Sequence, residues 1–207
     1  MRIGIFGGSF NPVHNGHIHL AKTAASEFSL DRIFFVPSRI SPHRSMTEYA
    51  AAEDRLEMLR LACANEPLFE VCDYELRSDR VSYTIYTIEY FRSRFPDDEL
   101  YLRLGRDMLL SFDKWFCYEK ILAQASLCVI SRHKGDSAEL KKKSQELKKL
   151  GKIYVSESLP LVISSTEIRK KIAKNKDFTC YLDKNVVQYI RLKGLYSLRG
   201  DTKMLYD

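Results

Sequence analysis

The chain alternates short apolar runs with segments whose apolar positions recur every three or four residues. The first run, Arg2–Phe6, is β-rich and ends in glycines; Ile18, Ala21, Ala24, Ala25 and Phe28 then repeat at helical spacing. Arg32–Val36 (RIFFV) reads as a second buried strand, cut off by Pro37. Residues 49 to 64 predict a helix, 69 to 72 a short strand, and 84 to 94 another helix. Leu100–Leu104, Leu127–Ser131 and Ile153–Val155 predict further strands, and Glu167–Ala173 and Asn185–Leu192 predict two closing helices.

Strand and helix at this spacing imply right-handed crossovers. The expected fold is therefore α/β, an open parallel sheet with helices on both faces and a small helical C-terminal portion. One domain is expected over residues 1 to 196, with a tail at 197 to 207. The stretch PSRISPHRSMTE (37–48) is a long, polar, basic loop behind a strand, so it falls on the edge where parallel sheets gather ligands.

Composition narrows the function without naming it. Hydrophobic residues at 45% and charged residues at 29% are ordinary globular values. The net charge of +6 suits anionic partners, although part of it reads as a solvated surface: lysines 141, 142, 143, 148 and 149 crowd one segment that looks like an exposed helix. Five scattered cysteines without CxxC spacing argue against a disulfide framework or zinc site and for a reducing compartment. The start is no signal peptide and no run approaches a membrane span, so a soluble cytoplasmic protein is expected.

The sharpest local signal is GGSFNPVHNGH (7–17). Gly7 and Gly8 behind the first strand let the backbone turn and let a phosphate approach it closely. Neither the GxGxxG dinucleotide fingerprint nor the GxxxxGK[ST] loop is present. A helix starting near Asn15 puts His14 and His17 one turn apart at its N-terminus, where the helix dipole favours an anion. Two imidazole donors there could grip a polyphosphate; they could also merely cap or pack. A metal pair lacks a nearby carboxylate or third ligand. Near the other end, ISSTEIR (163–169) fits a capping box of Ser164 and Glu167, and a plain capped helix explains that much. It does not explain Arg169, Lys170 and Lys171 early in a helix, whereas a bound anion does.

GGSFNPVHNGH resembles the (H/T)xGH signature of the nucleotidyltransferase superfamily, with His14-Asn15-Gly16-His17 as the signature itself. The resemblance implies a Rossmann-like fold and transfer of a nucleoside monophosphate from a triphosphate, with Mg²⁺. PSRISPHR (37–44), SYTIYTIEYF (82–91), LGRDMLLSFDKWF (104–116) and VVQYIRLKGLY (186–196) narrow the resemblance to bacterial nicotinate-nucleotide adenylyltransferases, from about residue 3 to 196. It implies ATP and nicotinate mononucleotide as partners, and a product of nicotinate adenine dinucleotide in NAD biosynthesis.

By the same resemblance His14, His17 and Arg169 are catalytic. Gly7, Gly8, Ser9, Phe10, Gly16, Gly105, Asp107, Ser165 and Thr166 form the ATP site, with Asp107 on the ribose and Ser165, Thr166 and Arg169 on the β- and γ-phosphates. Ser38, His43, Arg44, Thr84, Trp115 and Phe116 form the nicotinate mononucleotide site. Trp115 is either an aromatic platform for the ring or a core residue. Mg²⁺ is expected to be held by phosphates and water, without a protein metal site. No nucleic-acid or membrane partner is expected, and assembly into a homo-oligomer is left open.

Several positions depart from the family pattern: Arg106, Tyr86, Arg132-His133-Lys134-Gly135 and the tail from Ser197. The rivals are a pantetheine-phosphate adenylyltransferase, which usually has Thr at the His14 position, and a cytidylyltransferase, which ends in an RTxGISTT-like stretch absent here. A catalytically silent nucleotide- or RNA-binding protein is a rival of another class, but no aromatic-basic RNA motif supports it.

Overall fold

A computed structural model describes residues 1–39, 50–130, 137–156, 158, 161 and 163–197. Among them, β1 (Arg2–Gly8), α1 (Asn15–Phe28), β2 (Arg32–Pro37), α2 (Ala52–Cys63) and β3 (Phe69–Val71) come first. After α3 (Tyr74–Arg77) and α4 (Thr84–Arg94) follow β4 (Glu99–Gly105), α5 (Arg106–Leu110), a 3₁₀ turn at Phe112–Lys114 and α6 (Tyr118–Gln124). The remainder comprises β5 (Ser126–Ile130), α7 (Ser137–Leu147), β6 (Ile153–Ser156), α8 (Ser165–Ala173), a second 3₁₀ turn and α9 (Lys184–Lys193).

All six strands pair in parallel in the order β3-β2-β1-β4-β5-β6. This is the Rossmann order, with its switch point between β1 and β4, where ligands settle beyond the strand C-termini. Strand alternation sends side chains to two apolar layers. Phe6, Ile33, Phe35 and Tyr101 pack beneath α1, α2, α8 and α9. Ile3, Ile5, Leu102 and Val129 pack beneath α4, α5, α6 and α7. Both faces are thus covered, as the apolar runs imply. The lysine-rich segment is α7, which buries Leu140, Ser144 and Leu147 and exposes Lys141 and Lys142.

Two expectations change. Gly7 and Gly8 do not follow β1; they are its last residues, in register with Val36 and Pro37. LGRDMLLSFDKWF runs from the end of β4 through α5 and a 3₁₀ turn. Ser164 is the N-cap of α8, yet its side chain makes no capping hydrogen bond. All five cysteines are free, and burial pushes the Cys63 thiol up to about 12.

Candidate active site

β1 delivers Gly7 and Gly8 to the C-terminal edge of the sheet, where the Ser38 N–H donates to the Gly8 carbonyl at 2.9 Å. A Cβ on Gly7 would meet no atom within 4 Å, and the position opens on a cavity. A Cβ on Gly8 would lie 3.0 Å from the Phe10 ring. Phe10 has a positive φ of 45°, an uncommon conformation for a side-chain-bearing residue. Packing holds it there: its buried ring meets Phe35 at 5.7 Å and His17 edge-on at 5.1 Å.

His14 is the N-cap of α1 and His17 lies one turn on, with their rings stacked at a centroid distance of 3.6 Å. The His14 backbone N–H donates to His17 Nδ1 at 3.2 Å. An accepting Nδ1 assigns the His17 proton to Nε2, which leaves Nε2–H as the donor. Gly16 makes the stack fit: a Cβ there would lie 3.0 Å from His14 Nδ1 and 3.3 Å from Ile163 Cβ.

The turn between β1 and α1 is held from several parts of the chain. The Arg55 guanidinium, on a side chain only 1% exposed, donates to the Ser9 carbonyl at 2.7 Å. Asn11 Oδ1 accepts from the Ala50 N–H at 3.0 Å and the Tyr196 hydroxyl at 2.9 Å. Arg169 Nη1 donates to the Asn11 carbonyl at 2.9 Å, and the Ser165 hydroxyl donates to the Pro12 carbonyl at 2.9 Å. The start of α8 is therefore bonded to the same turn that leads into His14.

A cavity of about 530 Å³ runs from this turn across the β1–β4 switch point. One wall holds Gly7, Gly8, Ser9, Phe10, His14 and His17, joined by Ser165 and Thr166 at the start of α8. Its far wall holds Ser38, Thr84, Trp115 and Phe116. Thr84 is the first residue of α4, so that helix presents its positive end to the cavity. Trp115 is half-buried against Phe112 at 5.2 Å and lines the cavity. Phe116 is 50% exposed and meets the Tyr83 ring at 5.0 Å. Tyr86 completes this aromatic rim at 6.2 Å from Phe116. Asp107 lines the cavity from the first turn of α5 with a solvent-exposed carboxylate.

Arg169, Gly16 and Gly105 are not in the cavity wall. Gly16 acts from behind the histidines, and the Arg169 guanidinium reaches the Asn11 carbonyl. Arg106 pairs with Glu139 of α7 at 2.8 Å and with Asp107 at 3.2 Å, which fixes α5 to α7. His43, Arg44 and the segment Arg132–Gly135 lie outside the described residues.

A family model described as cytidylyltransferase-like matches residues 5–171. A "Probable nicotinate-nucleotide adenylyltransferase" of Dictyoglomus thermophilum is 39% identical over 197 residues, covering 95% of this chain and 100% of its own. One of the same name from Clostridium tetani is 38% identical over 195 residues, covering 93% and 97%. The chain belongs to the nicotinate-nucleotide adenylyltransferase family. A solved structure of Plasmodium falciparum nicotinic acid mononucleotide adenylyltransferase complexed with NaAD shares the fold, with a TM-score of 0.74 at 24% identity over 94% of this chain and 97% of that one.

For a member of this family, the cavity wall contains residues that the sequence did not single out. Arg103 enters from β4 and Lys114 from the 3₁₀ turn, so the wall carries cations beyond the signature. Glu75 and Thr87 lie near Thr84, and burial pushes the Glu75 carboxyl above its ordinary value against hydrogen bonds from Thr87 and Ser82. Among the described residues no helix is long and apolar enough to cross a membrane.

Proposed function

We propose that this chain transfers AMP from ATP to nicotinate mononucleotide, giving nicotinate adenine dinucleotide and pyrophosphate in NAD biosynthesis. The observation that carries the reading is one cavity joining the stacked His14–His17 pair to Trp115 and the start of α4. The relatives' names support the same acceptor.

In this reaction the acceptor's phosphate attacks the α-phosphorus of ATP in line. Its second pKa is near ~6, so the nucleophile is already ionised at neutral pH and no general base is needed. The protein's work is positioning and charge stabilisation. Gly7 admits the phosphates to the backbone, and His17 Nε2–H with His14 donates to the oxygens that gain charge. Thr166 and the N–H groups at the start of α8 hold the outer phosphates, and Asp107 accepts from the ribose diol. The Ser165 hydroxyl and the Arg169 guanidinium bond to the Pro12 and Asn11 carbonyls, which supports positioning of the histidine turn as their main work. The nicotinate ring lies against Trp115, and its carboxylate meets the positive end of α4.

A divalent ion, Mg²⁺, enters as part of the ATP substrate and neutralises triphosphate charge. Among the described residues no three His, Cys, Asp or Glu side chains group to hold an ion. Phosphate oxygens and water would be its main ligands, as suits a hard cation with bound triphosphate.

A pyrophosphate-release assay with ATP and each of nicotinate mononucleotide, nicotinamide mononucleotide and phosphopantetheine tests the proposal. Release is expected to be fastest with the nicotinate acceptor. Release with phosphopantetheine alone, or ATP binding without release, refutes it.

A further inference from the structure

Glu75 has no part in the transfer step, yet it is a carboxyl group only 9% exposed in the wall of the same cavity. Thr87 Oγ1 donates to its Oε1 at 2.5 Å from within α4. Ser82 donates a second hydrogen bond; its own oxygen accepts the Arg39 N–H at 3.2 Å. Thr84, at the start of α4, lies between these two donors in sequence, and all three line the cavity with Glu75. An acid is thus built into the wall against which the proposed acceptor places its carboxylate.

Several charged groups on the surrounding elements have other partners. On the acid's own turn Arg77 pairs with Asp73 at 2.7 Å, and the loop before α4 joins Asp79 to Arg39. Arg80 lies 5.8 Å from the Tyr86 ring centroid. On β2, which α3 packs against, Arg32 pairs with Glu70 at 2.7 Å. Arg103 from β4 and Lys114 from the 3₁₀ turn face the same cavity, and the first turn of α4 carries no charged side chain.

Two carboxylates in one poorly solvated wall cannot both stay ionised cheaply, and the one already biased towards its neutral form takes the proton. We propose that Glu75 takes up one proton from solvent when an acceptor bearing a ring carboxylate binds, so that the same wall accepts an acid acceptor at low pH and resists it at high pH. The bond formed is O–H on the Glu75 carboxyl; the proton comes from the buffer and the acceptor keeps its charge. Burial acts in the required direction, since it raises the Glu75 pKa before any acceptor arrives. The proposal rests on the acceptor reading given above.

By linkage, the KM for nicotinate mononucleotide rises with pH between the free and bound pKa values of Glu75, by at most about tenfold per unit. Glu75→Gln keeps the neutral acid's shape. It is expected to hold the acid acceptor across pH ~6 to ~9 as tightly as the wild type does at the acid end. Ionisation of the acceptor's phosphate affects both proteins alike and cancels in the ratio of their KM values. The KM for ATP is expected to have the same pH dependence in both. A parallel rise of acceptor KM in wild type and Glu75→Gln, or a variant KM above wild type throughout, overturns the proposal. If Glu75→Gln does not fold, Thr87→Val serves: it removes a donor to the ionised acid and so raises the free Glu75 pKa, the rise in KM then begins at higher pH than in the wild type, and an unchanged profile overturns the proposal. Normal turnover without this pH dependence refutes the proton uptake alone, whereas absence of pyrophosphate release with any pyridine mononucleotide refutes the acceptor reading.

Discussion

Tyr196, just past the end of α9, donates its hydroxyl hydrogen to Asn11 Oδ1 at 2.9 Å across 185 positions of sequence. Burial holds the phenol's pKa above its ordinary 10.0, so it stays a donor through the working pH range. Asn11 also receives Ala50 at its side chain and Arg169 at its carbonyl, so the end of the chain braces the turn before His14. Tyr196→Phe is expected to cost about 1 kcal/mol in thermal unfolding, the usual worth of such a bond. It should also raise the KM for ATP several-fold and leave the acceptor KM near normal. Steady-state kinetics beside a melting curve check this, and wild-type kinetics would refute the brace.

Two glycines of the same motif are expected to fail in opposite ways. At Gly16 a Cβ would press on His14 Nδ1 at 3.0 Å and on Ile163 Cβ at 3.3 Å. Gly16→Ala should therefore displace the imidazole stack, lowering kcat more than tenfold with a stability loss of about 1 to 3 kcal/mol from overpacking. At Gly7 a Cβ meets nothing within 4 Å, so Gly7→Ala should fold normally. Its methyl group enters the cavity, and the expected loss is in ATP affinity. Equal melting temperatures with an unchanged KM for ATP would show that the phosphates pass elsewhere.

The parallel sheet was legible because β1, β2, β4 and β5 are buried on both faces and read as near-continuous apolar runs. β1 was placed too short because glycines usually break a strand, whereas here their backbone continues the pairing with Val36 and Pro37. The short α5 and the turn before Trp115 hold too few residues to show a helical period. His14 and His17 were legible because both belong to one helix turn and their meeting is a local fact. Glu75 and Arg55 were not: each is a charged residue on a helix, and only packing from distant parts of the chain buries it. Arg169 illustrates the same limit, since its carbonyl partner at Asn11 lies 158 positions away.

His17 accepts a hydrogen bond at the helix start and, in the proposed reaction, donates to the substrate; the two roles can be separated. Its Nδ1 accepts the His14 N–H, while its Nε2–H is the donor assigned to the phosphates. His17→Ala should lower kcat by about 10²–10³, as loss of one charge-stabilising donor does. It should cost only about 1 kcal/mol of stability from the lost cap. His17→Asn, whose side-chain oxygen can still accept the capping N–H, should recover the melting temperature but not kcat. Recovery of both by Asn would reduce His17 to a capping residue.

In the proposed reaction Trp115 contacts the acceptor and not ATP. Its ring packs on Phe112 at 5.2 Å and lines the cavity in the half away from the histidines. Trp115→Ala should therefore raise the KM for nicotinate mononucleotide at least tenfold, matching the ~0.5–1.5 kcal/mol of a ring pair plus the lost apolar contact. The KM for ATP should change by less than about threefold, well under one kcal/mol. Trp115→Phe keeps a ring on the Phe112 face and is expected to restore most of the acceptor affinity. An equal rise in both KM values for the Ala variant, unrelieved by Phe, would make Trp115 a core residue whose loss loosens the whole site.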